Sequence, residues 1–140
     1  MPDTRTPSGH WADALQDRLI DFAVRVIKLA DDLPNTPAGR HIAGQILRSA
    51  TSPPPNYAEG RVAESRDDFI HKLKIVLKEL NETLVWLQFI VRARLLPSMD
   101  LKDLVDENDQ LCRLIGSSVA TAKANHPRHS SKRPDRDSPQ

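Results

Sequence analysis

One segment of this chain constrains the fold more than any other feature. Between residues 66 and 95, apolar side chains recur at steps of three and four over three heptads, and the series is Ile70, Leu73, Leu77, Leu80, Leu84, Leu87 and Val91. This spacing places the side chains along one side of an α-helix about 45 Å long. Because a stripe of that length has to be covered by neighbouring elements, the segment predicts a bundle of helices.

Three further segments repeat the same spacing. The first has Leu15, Leu19, Phe22, Val26, Leu29 and Leu33, widened by Ile20, Ala23, Ile27 and Ala30; the second has Ile42, Ile46, Leu47 and Ala50; the last has Leu101, Leu104, Asn108, Leu111 and Ile115. Short connections between the four segments favour antiparallel neighbours. The sequence therefore predicts an all-α fold, an antiparallel up-down-up-down four-helix bundle over residues 11–125, preceded by a flexible N-terminus at 1–10.

Three consecutive prolines, Pro53–Pro55, interrupt the second helix. They remove backbone donors and clash with preceding carbonyl groups, so the helix is expected to kink or break there. Asn56 is a favourable N-cap residue and Glu59 follows at capping-box spacing, which predicts that the helix restarts at Asn56. Ser65 and Ser98 are the predicted caps of the next two helices.

Length and composition exclude several classes of protein. A chain of 140 residues fits one domain, and its single cysteine, Cys112, rules out an internal disulfide. The first ten residues contain no apolar signal-peptide core, and no apolar run approaches the roughly 20 residues that span a bilayer. We therefore expect a cytoplasmic protein with no membrane partner.

No constellation of catalytic or metal-binding residues stands out. Asp68 and His71 have a spacing that suits metal ligation, but this pair occurs once, whereas a di-metal site in a bundle needs two Glu-x-x-His units. Cys112 falls on the apolar side of the last helix, where a thiol ordinarily packs as a small hydrophobic group. Phosphate-binding glycine loops and a GxSxG motif are absent from the sequence. We expect no enzyme and no cofactor.

Four large apolar residues fall opposite or beside the core stripe of the 66–95 helix. They are Ile75, Val85, Trp86 and Phe89. A patch of this kind commonly marks a protein partner, and most oligomers are symmetric homo-oligomers, so the pattern favours self-association. A rotation of the helix is the alternative, because it would bury Trp86 within one subunit.

The same helix also carries a basic stripe. Lys74, Lys78 and Arg92 fall near one azimuth, which suits binding to the phosphates of RNA or DNA or an ordinary solvated face. A subunit contact with the acidic side chains of the last helix is another use of the stripe, and those side chains are Asp103, Asp106, Glu107 and Asp109. Residues 126–140 have no large apolar side chain and predict a disordered basic tail rich in proline and serine, whose cations are Arg128, Lys132, Arg133 and Arg136. The chain as a whole has a net charge of only +1, which argues against a strongly basic nucleic-acid-binding domain.

The stretch LRSATSPPPNYAEG, followed by DFIHKLKIVLKELNETLVWL, resembles a known family of four-helix-bundle proteins. That family was first noticed in open reading frames inside intervening sequences of bacterial large-subunit ribosomal RNA genes. Asn56, Ala58, Glu59 and Gly60 match the family's Asn-Ile-Ala-Glu-Gly, with Tyr57 in place of isoleucine, and three prolines stand where the family usually has one.

The resemblance implies homo-oligomers, often pentamers, with no established enzymatic activity. Relatives that accompany diversity-generating retroelements are basic barrels that bind nucleic acid and a reverse transcriptase. For the matched motif we expect a structural role, with Asn56 and Glu59 acting as the helix cap. The first hypothesis is therefore a non-catalytic homo-oligomeric scaffold or adaptor, and the alternative is a nucleic-acid-binding accessory protein.

Overall fold

The structure is a computed structural model that describes residues 7–125, and within this range it is helical without any strand. Its segments are α1 Pro7–Asp32, α2 Pro37–Thr51, α3 Pro53–Arg61, α4 Arg66–Arg92 and α5 Lys102–Ala124. Together α2 and α3 form the second helix of the expected bundle, so the all-α four-helix bundle with a broken second helix is confirmed. The first helix already begins at Pro7, before the expected boundary at residue 11.

The helices surround one core, which is aliphatic apart from Phe22 and Tyr57. The segment α1 packs against α2, α3 and α5, and α4 packs against the same three, whereas no Cα atom of α1 lies within 8 Å of one of α4. These two helices therefore lie on opposite sides of the bundle. Side-chain bonds join Glu59 to Lys72 and Ser49 to Thr83, so residue numbers fall along one helix as they rise along its neighbour. Such an order is typical of antiparallel neighbours.

The buried stripe of α4 differs from the predicted one. Its members are Ile70, Leu73, Val76, Leu80, Thr83, Leu87 and Ile90. Leu77 and Leu84 are only half-buried, and Val91 is 52% exposed. The prediction that these three residues lie at the centre of the buried stripe was therefore wrong. The reason is that α4 packs between α2–α3 on one side and α5 on the other, which turns its most buried side away from the leucine column.

On α1, two of the four residues that were predicted to widen the buried stripe are not buried. Ala23 and Ala30 are buried at 6% exposure, but Ile20 and Ile27 are 43% and 39% exposed. Small residues fit where α1 approaches a neighbouring helix, whereas the two isoleucines lie outside the contact. Val24, at 41%, lies between them on the same outer side.

Only Ser52 separates α2 from α3. It keeps helical backbone angles, with φ −75° and ψ −40°, and the prolines occupy the first positions of α3, where a missing N–H has no helical partner to lose. The expected restart at Asn56 was therefore wrong. Asn56 lies inside α3, and its Nδ2 donates to the carbonyl oxygen and to Oγ of Ser52, both at 3.0 Å.

The other two predicted caps had different outcomes. Ser65 precedes α4 and its Oγ accepts a hydrogen bond from the Asp68 amide at 3.1 Å, which confirms that cap. Ser98 is not the cap of α5, because the N-cap position belongs to Leu101. Asp100 accepts from the Lys102 amide at 2.9 Å instead, since it lies closer to the start of the helix.

The turn between α1 and α2 brings two backbone segments very close. Thr36 is the N-cap of α2, and its Oγ1 accepts a hydrogen bond from the Gly39 amide at 3.1 Å. A Cβ atom on Gly39 would lie 1.9 Å from the carbonyl oxygen of Pro34. Only glycine fits this turn without a shift of the backbone.

Three small polar side chains are fully buried in the otherwise apolar core: Ser49, Thr83 and Asn108. The Thr83 hydroxyl lies 2.9 Å from the Ser49 hydroxyl and 2.9 Å from the carbonyl oxygen of Glu79. Asn108 accepts a weak hydrogen bond from Cys112 Sγ at 3.6 Å, while its Nδ2 has no partner within residues 7–125. The core thus contains one satisfied polar contact and one incomplete one.

Candidate interaction surface on α4

Three of the four predicted apolar residues lie together on the outer side of α4. Val85 and Phe89 are 49% and 51% exposed, and Trp86 is half-buried beside them. We call these three residues the α4 patch. Ile75 is half-buried and lies about 15 Å away along the helix, so it does not join the patch.

The indole of Trp86 is held in place from several directions. Its ring is 5.5 Å from that of Phe89 and meets His41 of α2 edge-on at 5.9 Å. Nε1 donates to Glu82 Oε2 at 3.2 Å, and Glu82 also pairs with Arg48 of α2. Trp86 therefore links α4 to α2, whereas Phe89 and Val85 are left uncovered by the subunit's own helices.

The predicted basic residues lie on the same outer side of α4 as the patch. Lys74, Lys78 and Arg92 are exposed, and none of the three forms an ion pair within the described part of the chain. Steps of seven residues align Lys78, Val85 and Arg92 along the helix. The apolar patch and the basic stripe are therefore parts of a single surface, which we call the α4 face: the patch together with Lys74, Lys78 and Arg92.

Neighbouring cations behave differently. Lys72 pairs with Glu59 of α3 at 2.6 Å, and Arg48 pairs with Glu79 at 3.2 Å as well as with Glu82. These pairs neutralise charge along the seam between α4 and its neighbours. Along the middle of α4, the cations without an ion pair therefore lie on its outer side.

The matched motif makes contacts within the subunit. Gly60 of α3 lies so close to α4 that an added Cβ would be 3.2 Å from Lys72 Cβ and 3.3 Å from a Leu73 methyl group. Tyr57 is buried at 2% exposure, while Ala58 and Glu59 are exposed. The motif thus lies where α3 packs against α1 and α4. The tail cations Arg128, Lys132, Arg133 and Arg136 lie outside the described residues.

Within residues 7–125, the potentially reactive side chains do not form a recognisable metal-binding or catalytic cluster. No group of three or more His, Cys, Asp or Glu side chains in this range is placed to hold a metal ion. Burial, with a smaller contribution from Asp109, raises the pKa of Cys112 to about 11, so its thiol is protonated at neutral pH. A surface hollow of about 550 Å³ lies at the α4–α5 corner and has mostly apolar walls, with Arg94, Asp100 and Lys102 as its charged residues.

Among the described helices, none has the length and apolar content needed to cross a bilayer.

Comparison with known proteins places the chain in a family. The model of the 23S rRNA-intervening sequence protein family matches residues 14–117, which include all of α2, α3 and α4. No curated protein matches this chain. A solved structure from Bacteroides thetaiotaomicron VPI-5482, a protein of unknown function from the S23 ribosomal protein family, is 33% identical with a TM-score of 0.70. The match covers 78% of this chain and 97% of that one. The chain belongs to the 23S rRNA-intervening sequence protein family.

Proposed function

We propose that this protein is a non-catalytic homo-oligomeric scaffold or adaptor whose subunits associate through the α4 face. The observation that carries the proposal is the pair Val85 and Phe89, half-exposed side by side on a long helix whose opposite side is fully engaged in the core. Large apolar and aromatic groups left uncovered on a rigid element are the usual centre of a protein interface.

The rigidity of the α4 patch supports the same proposal. Phe89 packs on Trp86, and Trp86 is fixed by His41 and by its hydrogen bond to Glu82. Side chains that are already ordered lose little conformational entropy when a partner binds. The resemblance to proteins that form homo-oligomers points in the same direction.

Light scattering on the purified full chain tests this function. We expect the wild type to have a mass several times the 15.7 kDa of one chain, and Phe89→Asp to shift it toward a single subunit, because a carboxylate would be buried in the contact. Gln88→Asp is the matched control, since Gln88 is the exposed neighbour of Phe89 and the charge change is identical. A monomeric wild type, or an equal effect of both substitutions, would contradict the proposal.

A second candidate function is binding to nucleic acid. It is favoured by the exposure of Lys74, Lys78 and Arg92 and by the absence of ion-pair partners for them in residues 7–125. Groups that are already neutralised release no counterion from a phosphate backbone, whereas these three would do so. Both candidate functions use the α4 face. Light scattering tests the homo-oligomer, and binding to nucleic acid over a salt series tests the second candidate.

The nucleic-acid candidate predicts a steep salt dependence. For duplex DNA, log Kobs should fall with log salt concentration with a slope of about −3 for one face, and Lys74→Glu should reduce the slope by about one. Lys102→Glu on α5 serves as the control, and replacing Arg128, Lys132, Arg133 and Arg136 by glutamine separates the contribution of the tail. Absence of binding to RNA and DNA at low salt would eliminate this candidate.

A further inference from the structure

A second exposed apolar surface lies on α1, on the opposite side of the bundle from α4. Ile20, Val24 and Ile27 are each about two-fifths exposed, and steps of four and three residues align them on one side of the helix. The core side of α1 is formed by other residues, among them Leu19 and Val26. These three side chains therefore lie outside the core, on the side of α1 that no other helix of the subunit covers.

Acidic residues stand at both ends of this stripe. Asp17 precedes Ile20 by three residues and Asp31 follows Ile27 by four, which continues the same helical spacing in both directions. Both aspartates are exposed, and neither forms an ion pair within residues 7–125. We call this surface the α1 face; it consists of Asp17, Ile20, Val24, Ile27 and Asp31.

The α4 face has the opposite charges in the same arrangement. Lys78 and Arg92 are fourteen residues apart, as are Asp17 and Asp31, so each pair of charges spans about 21 Å along its helix. Between the two cations lie Val85 and Phe89, just as the aliphatic side chains lie between the two aspartates on α1. Each face therefore has an apolar centre with charged ends, and the signs are complementary.

Other charges near the two faces do not remove this complementarity. Asp21 and Lys28 border the α1 face on the same side and are of opposite sign to each other. On α4, Glu82 lies between Lys78 and Val85, but it is paired with Arg48 and bonded to Trp86 Nε1. The net charges at the ends of the faces thus remain acidic on α1 and basic on α4.

We infer that subunits associate head to tail, with the α1 face of one copy on the α4 face of the next, an inference that rests on the homo-oligomer proposed above. Since α1 and α4 of one subunit lie on opposite sides of the bundle, a subunit cannot join its own two outer faces. The matching occupant is a second copy of this chain. When two different faces pair, a row of subunits has one unpaired face at each end. Such a row either closes into a ring or extends as a filament.

Charge reversal on each face tests this pairing by sedimentation velocity over a dilution series. We expect Asp17→Lys with Asp31→Lys to raise the dissociation constant about tenfold or more, because like charges then meet across the contact. Lys78→Glu with Arg92→Glu should do the same. All four substitutions in one chain should restore assembly, because every contact then again joins opposite charges. Glu64→Lys with Asp106→Lys is the matched control, since both residues are exposed and lie outside the two faces.

The outcomes separate this pairing from the proposed function. If the wild type is monomeric, the homo-oligomer and the pairing are overturned together. If the wild type is oligomeric but reversal on α1 leaves the dissociation constant unchanged, the pairing alone is overturned. A symmetric contact between two α4 faces, or a partner other than this chain on α1, would give that second result, and the fourfold variant would then assemble as weakly as the α4 double variant.

Discussion

Replacing Gly39 by alanine should lower the free energy of unfolding by about 3 kcal/mol. The added Cβ would lie 1.9 Å from the carbonyl oxygen and 2.9 Å from the carbonyl carbon of Pro34. Because both are backbone atoms, no side-chain rotation relieves the overlap, and the turn has to move as a whole. That movement would also disturb the hydrogen bond from the Gly39 amide to Thr36.

Urea denaturation at a fixed protein concentration measures this effect, since assembly would otherwise contribute to the apparent stability. Gly44→Ala in the same helix is the control. Gly44 is exposed and no heavy atom lies within 4 Å of its added Cβ, so alanine there should stabilise the fold by about 0.5–1 kcal/mol. Equal stabilities of the two variants would show that the turn adapts at no cost.

Tyr57→Ala should have a still larger effect, a loss of about 3–5 kcal/mol. Tyr57 is among the largest fully enclosed side chains of the core, at 2% exposure, and α3 packs with both α1 and α4. Removing the ring leaves a cavity that three helices cannot all move to fill, because each is also held by its other neighbours. The same urea experiment provides the measurement.

Tyr57→Phe distinguishes this explanation from one based on the hydroxyl. Phenylalanine retains the ring volume, so we expect it to cost less than about 1 kcal/mol. If phenylalanine were as damaging as alanine, the polar group rather than the buried ring would hold α3 in place. Isoleucine, the residue that the resembled family has at this position, should fall between the two, since it fills part of the volume.

The helices could be predicted from spacing, but the exact face that each buries could not. In α4, Val76 and Leu77 are adjacent apolar residues, and Thr83 interrupts the column that is truly buried. A scan for aliphatic repeats therefore selects the leucine column. The hydroxyl of Thr83 is accommodated in the core because the carbonyl oxygen of Glu79, one turn earlier, and the Ser49 hydroxyl, on a different helix, each lie 2.9 Å away. The contact with Ser49 cannot be inferred from a local pattern.

The start of α3 could not be predicted, because two local sequence preferences indicate different first residues. Asn56 is a good N-cap residue, but prolines are equally suited to the first turn of a helix. In this chain the prolines begin α3, and Asn56 turns its amide group back toward Ser52. The spacing alone did not reveal which rule would prevail, because both leave the backbone satisfied.

The sequence identified the parts of the α4 face, but it presented them as separate features. Val85, Phe89 and the cations became one surface only when the helix rotation was known. The α1 face was missed because Ile20 and Ile27 are as consistent with a widened core stripe as with an outer stripe. The available signal was the step from Ile20 to Val24 to Ile27, which runs parallel to the core residues on the other side of the helix.

The buried pair Ser49 and Thr83 also limits how far α2 and α4 can slide along each other. Aliphatic seams repeat with every turn, so a shift of one turn, about 5.4 Å, would again pair aliphatic side chains with aliphatic side chains at little cost. The same shift would part the two hydroxyls, and each would keep only the backbone carbonyl of its own helix, Glu79 for Thr83 and Ile46 for Ser49. The loss of this buried hydrogen bond costs about 0.5–1.5 kcal/mol. A single contact between two small polar residues therefore favours one axial alignment of these helices, a preference that the larger apolar surface does not supply.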